Sequence, residues 1–177
     1  METITTDKEA FEYIRTHLLN QGEPAFNIND DCGYRGHTRS QLDELGEQAK
    51  ALDYADSEDE YDDRTYWYIS ENWDTIPYAK CAVGCIIQDK YYDSIYEGSS
   101  VDDDGVLESI LKSNPKWEEP SKQMLMILQR VHDTIKNDMW DKVLDYQNWN
   151  FNLDGNFVSY SGYMEEKIIP NFRKNYS

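Results

Sequence analysis

Cys81 and Cys85 stand four positions apart, as C-x3-C, and Cys32 and His37 are the residues that would complete a tetrahedral zinc set with them. The spacing constrains little, because two ligands come from far away in sequence. The competing reading makes all three thiols small core residues, as free cysteine commonly is. His17 and His132 fall within helical patterns with no serine or cysteine partner nearby, so they read as helical surface or boundary residues rather than catalytic ones. Arg35, in Tyr34-Arg35-Gly36, pairs with a neighbouring carboxylate or captures an anion. Asp102-Asp103-Asp104 and Asp62-Asp63 do not match the spaced ligands of a calcium loop and read as solvated acidic surface. The chain has no phosphate-cradling Gly-Lys-Ser/Thr loop, no H-E-x-x-H and no G-x-S-x-G elbow. No catalytic residue is therefore assigned. No cofactor is expected, zinc at Cys32, His37, Cys81 and Cys85 being the one exception to test.

Charge is the stronger signal. The chain has 35 acidic and 17 basic residues in 177, a net charge of −18 and a pI near 4.4. That balance argues against direct binding to nucleic-acid phosphates or anionic lipid. Duplex DNA carries about one charge per 1.7 Å, so the excess matches roughly 30 Å of duplex. A compact chain of this size is roughly 40 Å across. The two lengths are commensurate, so imitation of DNA is sterically feasible if the charges share one face. The absence of a long apolar run and of a basic, apolar leader leads to the expectation of a cytoplasmic protein.

Several elements are needed to position these residues. Thr6-Asp7-Lys8-Glu9 fits a capping box before a helix carrying Phe11, Ile14 and Leu18. Leu42, Leu45, Ala49 and Leu52 predict a helix over Ser40–Tyr54. The acidic run Asp56–Asp63 then reads as an exposed, partly mobile loop, and Thr65–Ser70, rich in β-formers, as a strand. Cys81–Ile87, an uncharged run, is the buried pivot, where Ala82 and Gly84 allow close approach, with Cys32–Gly36 as its partner. A helix running from Val106 through Leu111 and stopped at Asn114-Pro115, and one started by Glu118-Glu119-Pro120-Ser121 with the stripe Met124, Leu128, Val131 and Ile135, are also predicted. Asn137-Asp138 caps a further helix with Trp140, and a last helix is expected around Tyr163–Ile169.

Cys32-Gly33-Tyr34-Arg35-Gly36, Lys80-Cys81-Ala82-Val83-Gly84-Cys85-Ile86-Ile87, Asp89-Lys90-Tyr91 and Glu97-Gly98 resemble a family of small uncharacterised phage and bacterial proteins. Its members run as C-x-Y-R-G, K-C-A-V-G-x-L-I, D-x-x-Y and E-G. Leu128-Gln129-Arg130-Val131-His132-Asp133 is similar to a segment near that family's C-terminal end. The chain departs from the family through an acidic and aromatic insertion, residues 37–79, and a C-terminal extension, residues 149–177. The resemblance implies a phage or prophage origin and carries no activity with it.

The expected fold is α+β: a mostly helical single domain, residues 1–177, around a small antiparallel sheet of Tyr34, the Trp67 strand and the Cys81 segment. The expected function is non-enzymatic inhibition of a host defence or nucleic-acid-handling protein, by an acidic surface that engages a basic one. Asp43, Glu44, Glu47, Asp56, Glu58, Asp59, Glu60, Asp62 and Asp63 would supply charge. Tyr61, Tyr66, Trp67 and Tyr68 would supply apolar anchors. The alternative is a protein that binds a metal or a small anion or nucleotide through Cys32, Tyr34, Arg35, Cys81 and Cys85.

Overall fold

A computed structural model describes residues 3–27, 33–51 and 58–162, with the backbone alone over 58–64. Helix α1 (Asp7–Gln21) opens with the expected cap, Thr6 Oγ1 accepting the Glu9 amide at 3.2 Å. The reciprocal half falls one residue early, since the Glu9 carboxylate takes the Thr5 amide at 2.8 Å and the Thr5 hydroxyl at 2.7 Å. Those bonds hold the Glu9 carboxyl below the usual range. Two short strands, β1 (Ala25–Phe26) and β2 (His37–Thr38), pair antiparallel, with Ala25 opposite Thr38 and Phe26 opposite His37.

Helices α2 (Arg39–Ala51) and α3 (Glu58–Asn72) follow, then a chain of 3-10 turns from Trp73 to Tyr96. Helix α4 (Asp104–Ser113) is capped by the Asp103 carboxylate and α5 (Lys122–Thr134) by the Ser121 hydroxyl. The short α6 (Trp140–Val143) leads into the hairpin of β3 (Trp149–Phe151) and β4 (Phe157–Tyr160). The class is α+β and mostly helical, as expected.

The pivot holds its place. Cys81, Ala82, Val83, Gly84, Cys85, Ile86 and Ile87 are all buried, in a 3-10 turn and not in a strand. Phe11, Ile14 and Leu18 of α1 close on it, with Val106 and Ile110 of α4 and the stripe Met124, Leu128 and Val131 of α5. A side chain at position 84 would have to displace backbone, because a Cβ there would fall on the Tyr34 carbonyl oxygen. Close backbone approach between the two segments is thus what the glycine supplies.

Two expectations are corrected. Thr65–Ser70 is helix, the C-terminal half of α3, and not a strand. Thr65, Ile69 and Trp73 recur at i, i+4 and i+8 and face Leu42 and Gly46 of α2 across one cleft, and this tertiary stripe outweighs the β preference of Tyr-Trp-Tyr-Ile. Glu58–Asp63 is also helical rather than loop: five carboxylates sit in its first two turns, where the helix dipole favours negative charge. Asp56 lies outside the described residues. The sheet is accordingly not the one expected. Tyr34, Trp67 and Cys81 are not in strands; among the described residues two separate two-stranded sheets form instead, with a single bridge from Gly36 to Ala79. The helix expected around Tyr163–Ile169 lies outside the described residues.

Candidate interaction surface

Residues 37–79 form an arm with two feet. Gly36 and Ala79 exchange both backbone bonds, at 2.9 and 2.8 Å. Next to them the buried His37 donates from Nε2 to the Trp73 carbonyl at 2.8 Å, stacks on Tyr78 and meets Trp73 edge-on. Burial pushes the His37 imidazole below its ordinary value. Thr38 caps α2, exchanging bonds with Gln41, whose Nε2 reaches the Pro77 carbonyl at 3.0 Å.

Above the feet the arm is lightly packed. Only Leu45 and Ala49 of α2 are buried, and no described side chain of α3 is. Asp43, Glu44 and Glu47 are exposed. Tyr66 and Trp67 are 54% and 56% exposed, which is unusual for rings of this size. Tyr68 is half-buried. A groove of about 490 Å³ runs between the helices, lined by Leu42, Asp43, Tyr66, Ile69 and Trp73 among others. Arg39 and Lys50 also line it, the first with its guanidinium 4.8 Å from the Phe26 ring and the second 2.6 Å from Glu47. The backbone of α3 carries Glu58, Asp59, Glu60, Tyr61, Asp62 and Asp63, whose side chains are outside the description.

The two helices hold three cations and nine carboxylates, a net −6 on 28 residues. The whole chain holds −18 on 177, so the arm has about twice the average charge density. A 15-residue helix spans roughly 22 Å. Five of its six carboxylates fall within Glu58–Asp63, about 8 Å of axis, and the sixth, Glu71, lies about 12 Å further on. What the arm offers is a high density of acidic residues near the exposed Tyr66 and Trp67.

Most of the cysteine and arginine region is taken up by its own contacts, the exception being the buried Arg35 Nε, which makes no hydrogen bond among the described residues. Cys81 Sγ accepts the Gly84 amide and Cys85 Sγ donates to the Ala82 carbonyl, both at 3.2 Å. Burial pushes the Cys85 thiol well up. His17 Nε2 and Gln21 Nε2 both reach the Lys80 carbonyl. Among the described residues no three His, Cys, Asp or Glu come together as a metal-holding group; Cys32 lies outside them. Arg35 lays its guanidinium 3.8 Å from the Tyr78 ring centroid. Glu97 closes the loop: its two oxygens accept the Tyr34 and Arg35 amides at 3.0 and 3.1 Å and the Tyr92 hydroxyl at 2.6 Å. Burial and Glu97 together raise the Tyr92 phenol. Arg35 therefore acts in a structural cluster, through aromatic stacking rather than through the carboxylate pair expected for it.

His132 is likewise structural. Its Nε2 accepts the Ala25 amide at 3.0 Å and its Nδ1 faces Asp133 at 2.9 Å, so it ties α5 to β1. Gln129 accepts the Val101 amide at 3.2 Å, and the Tyr34 hydroxyl donates to the Ser99 carbonyl at 2.9 Å. Gly36 is bonded to Ala79, next to Lys80–Ile87, Tyr34 and Arg35 to Glu97, and Gln129 and His132 to Val101 and Ala25, which is scaffold work. The groove between α2 and α3 was missed by sequence reasoning because Thr65–Ser70 was assigned to a strand. The i, i+4, i+8 recurrence of Thr65, Ile69 and Trp73 is the signal that finds it.

Comparison with protein-family models, curated proteins and solved structures found no match. Among the described residues, no helix is long and apolar enough to cross a membrane.

Proposed function

We propose that this chain is a phage-encoded, non-enzymatic protein that acts in the host cytoplasm by binding a basic surface of a defence or nucleic-acid-handling protein, through the α2–α3 arm. The observation that carries the reading is the arm itself: a third of the net charge on 28 residues, with Tyr66 and Trp67 exposed beside it. Carboxylates supply fast, salt-sensitive encounter, and aromatic area supplies residence time. The metal reading gains no support from the described members of its site, since Cys81 and Cys85 are engaged within the fold; the small-anion reading keeps one observation, the buried Arg35 Nε, which has no hydrogen-bond partner among the described residues.

The test is affinity capture from bacterial lysate at about 0.1 M and 0.5 M salt, where the Debye length falls from about 10 Å to nearer 4 Å. A basic, nucleic-acid-handling protein retained only at the lower salt is the expected result. Replacing Glu58, Asp59, Glu60, Asp62 and Asp63 by glutamine keeps the helix length and should release that protein. Undiminished capture by the glutamine variant would refute the arm as the binding element.

A further inference from the structure

The geometry points to the groove between α2 and α3 as the seat of an arginine side chain delivered by the partner, with its guanidinium held by Asp43. This rests on the arm being the binding element and names what it binds. The groove, about 490 Å³, is lined by Leu42, Ile69, Tyr66 and Trp73, which offer apolar and aromatic faces to an aliphatic stem and a planar cation. The charged residues that line it are unequal in what they leave free. Lys50 is held by Glu47 at 2.6 Å, and Arg39 lies over the Phe26 ring. Asp43 is exposed, lines the same groove and makes no ion pair with another described residue.

A free carboxylate beside the exposed Tyr66 ring and the half-buried Trp73, on an arm of net charge −6, is complementary to a cation with an apolar stem. Arginine fits better than lysine, because its planar fork bonds a carboxylate in two places while stacking on a ring. Arginine is also, with tryptophan and tyrosine, enriched among interface hot spots. Gly46 gives the groove its room: a Cβ there would have the Thr65 methyl at 4.0 Å as its nearest neighbour. A larger side chain on this helical position would fill the groove from one wall without entering the core.

The probe is a 12-residue peptide of four Arg-Leu-Gly repeats, titrated into the isotope-labelled full chain at about 0.1 M salt and followed by amide NMR. Matched peptides carry citrulline or lysine in place of arginine. The expected result is amide shifts concentrated in α2 and in the Thr65–Trp73 stretch, with affinity at least fivefold weaker for citrulline and measurably weaker for lysine. Asp43→Asn should weaken the arginine peptide severalfold, and Gly46→Leu should abolish the localised shifts while the rest of the spectrum stays native. Neutralising Glu118 and Glu119, which line a different pocket with Trp117, should leave affinity within twofold. Shifts spread over the whole surface, or an affinity indifferent to both Asp43→Asn and Gly46→Leu, would overturn the proposal. In that event a lysate partner still lost by the glutamine variant of α3 would leave the arm reading intact.

Discussion

Asp7 and Trp117 lie 110 positions apart, and the indole Nε1–H of Trp117 donates to Asp7 Oδ1 at 3.0 Å. The same oxygen accepts the Ser121 amide at 3.0 Å, and Oδ2 accepts the Phe157 amide at 2.8 Å. One buried carboxylate in the first turn of α1 thereby fastens the entry to α5 and the β4 strand. The helix dipole at that position favours its charge as well.

Removing that carboxylate leaves three donors without their acceptor, the Trp117 indole buried and the Ser121 and Phe157 amides part-buried. A buried unsatisfied group costs about 1–3 kcal/mol, so Asp7→Ala should lose at least about 1–3 kcal/mol. Urea denaturation followed by circular dichroism reads the loss. A change below about 1 kcal/mol would mean that the three donors find other partners.

Two glycines should respond in opposite directions. Gly84→Ala puts a methyl into the Tyr34 carbonyl and must displace backbone, so a loss of about 2 kcal/mol or more is expected. Gly46→Ala sits within α2 with no steric neighbour and should gain about 0.8–1 kcal/mol from helix propensity. Thermal melts of the two variants should therefore move to opposite sides of the parent.

Acid should weaken the fold through His17 and His37. Burial disfavours the imidazolium of both, so each binds its proton less readily folded than unfolded. Their contribution is complete above about pH 6.5, the ordinary histidine value. It is lost as pH falls from there through the lowered folded values, because the unfolded chain takes up protons first. Urea midpoints at pH 7.5 and 5.5 should show the drop. The double variant His17→Gln, His37→Gln should be weaker at pH 7.5, where the Lys80 and Trp73 carbonyls lose their imidazole partners, and should show a shallower pH dependence.

Cys81 and Cys85 should resist alkylation in the native chain at pH 8. Both are buried, and burial holds the Cys85 thiol protonated. Peptide mapping after iodoacetamide treatment should find both unmodified until urea is added. Rapid native labelling at either position would show that the turn opens.

Much of this protein is legible in its sequence because the signals are local. A threonine three residues before a glutamate starts α1, the period of Met124, Leu128 and Val131 sets the buried face of α5, and an uncharged run between charged neighbours marks the pivot. The hairpin of β3 and β4 was also within reach, through Asp154-Gly155 between the aromatic pairs Trp149, Phe151 and Phe157, Tyr160. Other features rest on contacts distant in sequence. Thr65–Ser70 has the composition of a strand and becomes helix because α2 offers it a surface of helical period. Arg35 meets Tyr78 and Glu97 meets the Tyr34 and Arg35 amides only once the chain has closed on itself. Residue types and their spacing determine where charge and apolar area lie along the chain. Which of them share a face is decided by packing between segments that local sequence does not connect.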